Sequence, residues 1–148
     1  MLVNVATPAD IPELSNLLSV LFSQEAEFTT NTEAQCKGLA QIINNATVGA
    51  VLVARQEGQV VGMVNLLFTV STALGERVAL LEDMVVSPTG RGEGIGTKLL
   101  TEAISFARAQ GCKRITLLTD RPNESAQRFY SKQGFVVSSM IPMRLSLE

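Results

Sequence analysis

The chain has 148 residues, a formal net charge of −2 at pH 7, 46% hydrophobic residues and no histidine. This length predicts one domain, spanning residues 1–148, with a core of its own. The sequence has no cluster of basic residues of the kind that binds nucleic acid, and no apolar stretch approaches the ~20 residues of a membrane span. We therefore expect a cytoplasmic protein without nucleic-acid or membrane partners. Because the commonest general base and metal ligand is missing, we also expect no metal site.

The first half of the chain predicts a strand, two helices and a hairpin. Apolar residues at helical spacing follow the polar segment 7–10, and a tight turn at 56–59 separates two runs rich in β-formers. The predicted elements are a strand at 3–6, helices at 11–21 and 33–44, and strands at 50–55 and 60–70.

The second half predicts a strand–helix–strand unit, a further helix and two closing strands. The elements are a strand at 77–86, a helix from 95 that Gly111 ends, a strand at 115–119, a helix at 123–133, and strands at 135–139 and 141–147. The order β-α-α-β-β-β-α-β-α-β-β predicts an α/β fold with a mixed, mostly antiparallel sheet flanked by helices.

A glycine-rich turn joins the strand at 77–86 to the following helix. Its sequence is Ser-Pro-Thr-Gly-Arg-Gly-Glu-Gly-Ile-Gly-Thr, over residues 87–97. The first amides of a helix have no partner inside it, and glycines let a ligand approach the backbone, so this turn predicts a phosphate or pyrophosphate site. Thr97 stands where a Walker loop needs lysine, and the alternating glycines do not match the dinucleotide fingerprint.

A second motif, N-x-x-A-x-x-F-Y-x-K-x-G-F, occupies residues 123–135. Asn123 is predicted to cap its helix, Gly134 to end it, and Tyr130 is the only tyrosine of the chain. Together with R-x-x-G-x-G at residues 91–96, this motif resembles the GNAT superfamily of N-acetyltransferases, which use acetyl-CoA. The resemblance is carried by residues 80–135, and the element order extends it over the chain.

This resemblance implies a set of acetyl-CoA contacts. The backbone of Met84, Val85 and Val86 would pair with the pantetheine arm like an added strand. Asn123 would lie beside the same arm, and Tyr130 would donate a hydrogen bond to the departing sulfur. The pyrophosphate would meet Arg91 at the mouth of the turn and the backbone of Gly92, Glu93, Gly94, Ile95, Gly96 and Thr97.

The reaction needs a neutral amine, and without histidine a carboxylate is the candidate base. Strand alternation would send Glu82 and Asp83 to opposite faces, with Glu82 on the face of Met84 and Val86. Some GNAT members, including diamine acetyltransferases, carry a similar Leu-Glu-Asp strand. We therefore predict Glu82 as a base acting through water, and Asp83 as a structural partner, for example of an arginine.

The acceptor stays open at this point. A small amine attacking acetyl-CoA directly in a ternary complex is the preferred interpretation. A protein or peptide amine, and a CoA-binding regulatory domain without turnover, are the alternatives. Glu25 and Glu27, near Phe22 and Phe28, would attract a cationic amine, but a solvated helix face is the favoured explanation for them. The oligomeric state, with a homodimer among the candidates, is also open.

Overall fold

The computed structural model describes residues 1–24, 30–90 and 94–148. These divide into two compact units, Met1–Leu118 and Thr119–Glu148. Glu25 and Glu27, which are candidates for attracting a cationic amine, lie outside the described residues. That the chain forms one domain stays a prediction.

A five-stranded sheet is the frame of the first unit. Its strands are β1 (Leu2–Val5), β2 (Gly49–Gln56), β3 (Gln59–Ser71), β4 (Glu76–Val86) and β5 (Ile115–Leu117). They lie in sequence order, and every neighbouring pair is antiparallel except β4 and β5, which are parallel. The predicted mixed and mostly antiparallel sheet is therefore confirmed.

Helices cover both faces of this sheet. The helices of the chain are α1 (Ile11–Phe22), α2 (Thr32–Ile43), α3 (Ile95–Ala109) and, in the second unit, α4 (Glu124–Ser131). Met63 of β3 packs in a cluster with residues of α1 and α2, whereas Gly62 faces Ile95 and Leu99 of α3. Adjacent strand residues point to opposite faces, so α3 lies across the sheet from α1 and α2. None of the helices in the described part of the chain is both long and apolar enough to cross a membrane.

The second unit contains α4 followed by an irregular segment. The predicted strands at 135–139 and 141–147 are wrong, because residues 135–148 adopt neither helix nor strand. A strand needs a neighbouring backbone to pair with, and α4 is the only regular element described between Thr119 and Glu148. Several apolar side chains of this segment are exposed, among them Val136, Val137, Met140, Ile141, Met143, Leu145 and Leu147.

Asp10 connects the start of α1 to the sheet. Its Oδ2 accepts a hydrogen bond from the backbone amide of Thr7 at 2.8 Å and lies 2.7 Å from a guanidinium nitrogen of Arg55 on β2. Burial opposes ionisation of this carboxyl, but Arg55 and Thr7 outweigh that effect and leave the pKa of Asp10 below its usual value. The ion pair therefore stabilises the folded state when Asp10 is charged.

Asp10→Asn should lower the free energy of unfolding by about 2 kcal/mol at neutral pH, because Arg55 loses its carboxylate partner. A lowered folded-state pKa stabilises the protein above the unfolded-state value of about 3.9, and this stabilisation is lost as the pH falls through the folded-state pKa. Urea unfolding should show the two proteins converging at acidic pH. Glu76→Gln, which removes an exposed carboxylate of β4, is the control. Equal stability of Asp10→Asn and the parent protein at neutral pH would contradict this account.

Candidate active site

Strand β4 carries a β-bulge in its second half. Asn65 of β3 pairs with Glu82, whereas Met63 pairs with Val85, so β4 has one residue more than β3 between these pairs. Asp83 lies in the longer stretch and has a φ of +56°, in the left-handed region. Asp is one of the few residue types besides glycine that are enriched there. The bulge therefore bends β4 directly after Glu82.

This bulge changes which side chains of β4 share a face. The β3 partners of Glu82 and Val85 lie two residues apart and so point to the same face of the sheet. Val86 pairs with Gly62 and lies on the opposite face, so the prediction that Glu82 shares a face with Val86 is wrong. The physical reason is the extra residue, which reverses the alternation of β4 between Glu82 and Val85.

Asp83 is held by an amide side chain. Nδ2 of Asn65 donates a hydrogen bond of 2.7 Å to Oδ2 of Asp83. Burial and the charge of the adjacent Glu82 raise the pKa of Asp83 to about 6, and the hydrogen bond from Asn65 partly offsets that rise. Asp83 thus contacts Asn65, the cross-strand partner of Glu82. The prediction that Glu82 and Asp83 point to opposite faces of the sheet is therefore wrong. The partner of Asp83 is Asn65 rather than an arginine.

The pairing of β4 with β5 ends where the bulge begins. Leu81 pairs with Leu117, the last residue of β5, whereas β4 continues to Val86. A bulge bends its strand and increases the local twist, so β4 changes direction directly after its last pair with β5. The segment Met84–Val86 therefore runs beyond the β5 ladder. The β4 edge that pairs with β5 up to Leu81 is the edge opposite β3.

The start of α3 lies against the end of β4. Gly62 pairs with Val86, and a Cβ added at Gly62 would be 3.5 Å from Cγ2 of Ile95, the first residue of α3. The position before Ile95 is Gly94, with a φ of +75°, and the first turn of α3 contains no acidic side chain. By helix geometry, the amides of Ile95, Gly96 and Thr97 have no partner within the helix, since the first intrahelical bond runs from Lys98 to Gly94.

Three residues in the middle of the predicted glycine-rich turn lie outside the described residues. They are Arg91, Gly92 and Glu93, so their predicted pyrophosphate contacts stay predictions. Before them, Gly90 is buried against Ile95, and a Cβ there would come within 2.7 Å of its side chain. Only glycine fits between these elements without a shift.

In the second unit, the predicted site residues Asn123 and Tyr130 lie at opposite ends of α4. Oδ1 of Asn123 accepts a hydrogen bond from the backbone amide of Ala126 at 3.1 Å, which confirms the predicted N-cap. The half-buried ring of Tyr130 makes edge-on contacts with Phe129 and Phe135, with centroids 5.2 and 5.7 Å away. Aromatic packing therefore orients Tyr130 within its own unit.

Sequence reasoning missed Asn65. It is 3% exposed and is the one polar side chain in the buried centre of β3, between Val61 and Leu66. A lone amide in an apolar strand is a signal that could have identified it. The doublets Leu80-Leu81 and Glu82-Asp83, which break strict alternation, could have indicated the bulge. No cluster of three or more metal-ligating side chains occurs in residues 1–24, 30–90 and 94–148.

Comparisons with known proteins identify the family of the chain. The Acetyltransferase (GNAT) family matches residues 12–135. An uncharacterized N-acetyltransferase, YhfO, of Bacillus subtilis is 30% identical over 122 residues, which cover 80% of each chain. The aminoalkylphosphonate N-acetyltransferase of Salmonella typhimurium is 29% identical over 130 residues, covering 88% of this chain and 81% of the relative.

A solved structure extends the similarity to the whole chain. A putative acetyltransferase from Agrobacterium tumefaciens superimposes with a TM-score of 0.82 at 28% identity, over 98% of this chain and 100% of the other. The family match spans most of the chain and includes the bulged strand, the glycine turn and α4. The chain therefore belongs to the GNAT family of N-acetyltransferase enzymes.

Proposed function

We propose that the protein transfers the acetyl group of acetyl-CoA to the primary amine of a small acceptor, by direct attack in a ternary complex. The observation that carries this proposal is the end of the β5 ladder at Leu81, directly before the bulge at Asp83, which leaves Met84–Val86 beyond the ladder and next to the start of α3. A strand-like ligand with amide groups and a terminal phosphate region fits such a surface.

The pantetheine arm has two amides, and we propose that they pair with the backbone of Met84, Val85 and Val86 as a short added strand. The pyrophosphate then meets the amides of Gly94, Ile95, Gly96 and Thr97, with Arg91, Gly92 and Glu93 completing the turn. A left-handed Gly94 and a first helical turn without carboxylates support an anion there. We propose Asn123 as a further contact of the pantetheine arm.

The chemistry follows from the groups available. The amine nitrogen attacks the thioester carbonyl carbon and forms the C–N bond, and the C–S bond then breaks to release the CoA thiolate. In this proposal Glu82 accepts the proton that the amine loses, through a water molecule, and Tyr130 donates a hydrogen bond to the departing sulfur. Glu82 is exposed at the bulge, where a water relay can reach it.

A small acceptor is favoured over a peptide by one relative. The Salmonella enzyme, which is similar over most of this chain, is named for an aminoalkylphosphonate, a small molecule with one amino group. The half-buried Asp83 and exposed Glu82 at the bulge would attract the positive charge of such an amine.

An acceptor screen tests the proposal. The protein is incubated with acetyl-CoA and a polyamine, an aminoalkylphosphonate or a peptide with a free N-terminus, while thiol release and the N-acetyl product are measured. We expect a small amine to exceed the peptide by roughly tenfold or more in kcat/KM. Gly94→Glu should abolish turnover by placing a carboxylate in the phosphate position, whereas Gly94→Asn, which tolerates the same backbone conformation, should retain most of it.

Two results of the screen would contradict this function. Turnover of the peptide alone would indicate a peptide N-acetyltransferase. Thermal stabilisation by acetyl-CoA without turnover of any amine would indicate a regulatory CoA-binding domain.

Tyr130→Phe keeps the ring and its contacts with Phe129 and Phe135 but removes the hydroxyl. If this hydroxyl assists the leaving thiolate, kcat should fall by ~10- to 100-fold while stabilisation by acetyl-CoA is unchanged. Phenols are weaker acids than thiols, so hydrogen-bond donation rather than complete proton transfer is the expected contribution. A parental kcat in this variant would restrict Tyr130 to packing.

Glu82→Gln keeps the size of the side chain but removes its ability to accept a proton at neutral pH. If Glu82 relays the proton of the amine, the variant should be slow near neutral pH and recover at alkaline pH, where the substrate deprotonates in solution. The pH profile of kcat/KM measures this. A rate lowered equally at every pH would show that Glu82 contributes charge or position rather than proton transfer.

A further inference from the structure

The hydrogen bond to Asp83 fixes the orientation of the Asn65 side-chain amide, and this orientation leaves its oxygen without a hydrogen-bond donor among the described residues. A charged carboxylate only accepts hydrogen bonds, so the side chain of Asn65 must turn its NH₂ group toward Asp83. That orientation leaves Oδ1 of Asn65 buried, and no donor among the described residues reaches it. Buried acceptors are normally satisfied, so an unpartnered one on a residue 3% exposed calls for an explanation.

The neighbours of this oxygen show what kind of group would satisfy it. Oδ1 belongs to the same planar amide that contacts Asp83, and Glu82 is the direct cross-strand partner of Asn65. An amide oxygen and two carboxylates are all acceptors. A primary ammonium group, which carries N–H donors and a positive charge, complements all three.

We propose that Oδ1 of Asn65 and the carboxylate of Asp83 form the subsite that binds the amino group of the acceptor. The proposal rests on the function proposed above and adds the residues that select the acceptor. Asn65 supplies a neutral acceptor, and Asp83 supplies charge and a second acceptor. Glu82, the cross-strand partner of Asn65, is exposed and therefore available for proton transfer.

The charges around Asp83 agree with this assignment. On β4 the neighbouring ionisable group is Glu82, whose charge adds to burial in raising the pKa of Asp83 to about 6. Strands β3 and β5 contain no ionisable side chain, and the only one on α1, Glu13, is exposed. Asp83 is therefore mostly ionised at neutral pH, and an ammonium ion at the subsite would lower its pKa.

Binding can be measured separately from turnover. The probe is n-butylamine, which has a single ionisable group, titrated into the CoA-saturated protein and followed by NMR chemical shifts, including the side-chain NH₂ signals of Asn65. Its N,N,N-trimethyl derivative keeps the charge but has no N–H donor. The variants are Asp83→Asn, which tolerates the left-handed backbone, and Asn65→Leu, with Glu76→Gln at the far end of β4 as the matched control.

We expect Asp83→Asn to raise the Kd of n-butylamine by ~10- to 100-fold, as for loss of a charged hydrogen bond, and Asn65→Leu to raise it by roughly fivefold or more. Glu76→Gln should change it little. The trimethyl derivative should bind the parent protein roughly tenfold more weakly than the amine, and the NH₂ signals of Asn65 should move only with the amine. Affinity in the parent protein should also fall as the pH drops through about 6.

An unchanged Kd in folded Asp83→Asn, or equal affinity of the amine and its trimethyl derivative, would overturn the subsite. So would a parent protein that binds no amine. If Asp83→Asn does not fold, Asp83→Gly removes the same carboxylate at a conformation that glycine adopts freely. Loss of turnover in the acceptor screen, with amine binding intact, would instead count against the proposed function alone.

Discussion

The extra residue in β4 is the constraint on which the candidate site depends. Between the pairs Asn65–Glu82 and Met63–Val85, β4 is one residue longer than β3, and Asp83 takes a left-handed conformation to accommodate it. The ladder to β5 stops at Leu81, the last residue before this region. One local irregularity, directly after the end of the β5 ladder, therefore brings the Asp83 carboxylate to Asn65 and reverses the face on which later side chains lie.

Glycines then allow a helix to begin beside the end of β4. Gly62 lies opposite the end of β4 and has no side chain, so Ile95 and Leu99 of α3 pack directly onto the β3 backbone. Gly90 is buried below Ile95 for the same reason, and Gly94 supplies the left-handed residue before the first turn. The amides at the start of α3 are consequently held beside a strand segment that β5 does not cover.

Regular elements could be predicted from the sequence because local patterns determine them. The hairpin turn at Glu57 and Gly58, both with positive φ, and the periodicity of α1 and α3 are local signals, and their predicted bounds agree within about two residues. Strict strand alternation could not predict the facing of Glu82, because it depends on a register shift set by pairing with β3. The strands expected after residue 134 need a pairing partner, which the sequence of that segment alone does not specify.

Hydrogen exchange of the backbone amides, with and without acetyl-CoA, can locate the ligand on the sheet. We propose that the pantetheine arm binds along the end of β4, beyond the β5 ladder and beside the start of α3. We predict that acetyl-CoA slows exchange in the segment Met84–Val86 and at Ile95, Gly96 and Thr97, and that β1 and β2 change little. Exchange at Met84–Val86 that is unaffected by saturating acetyl-CoA would contradict the claim, because the ligand would then bind elsewhere.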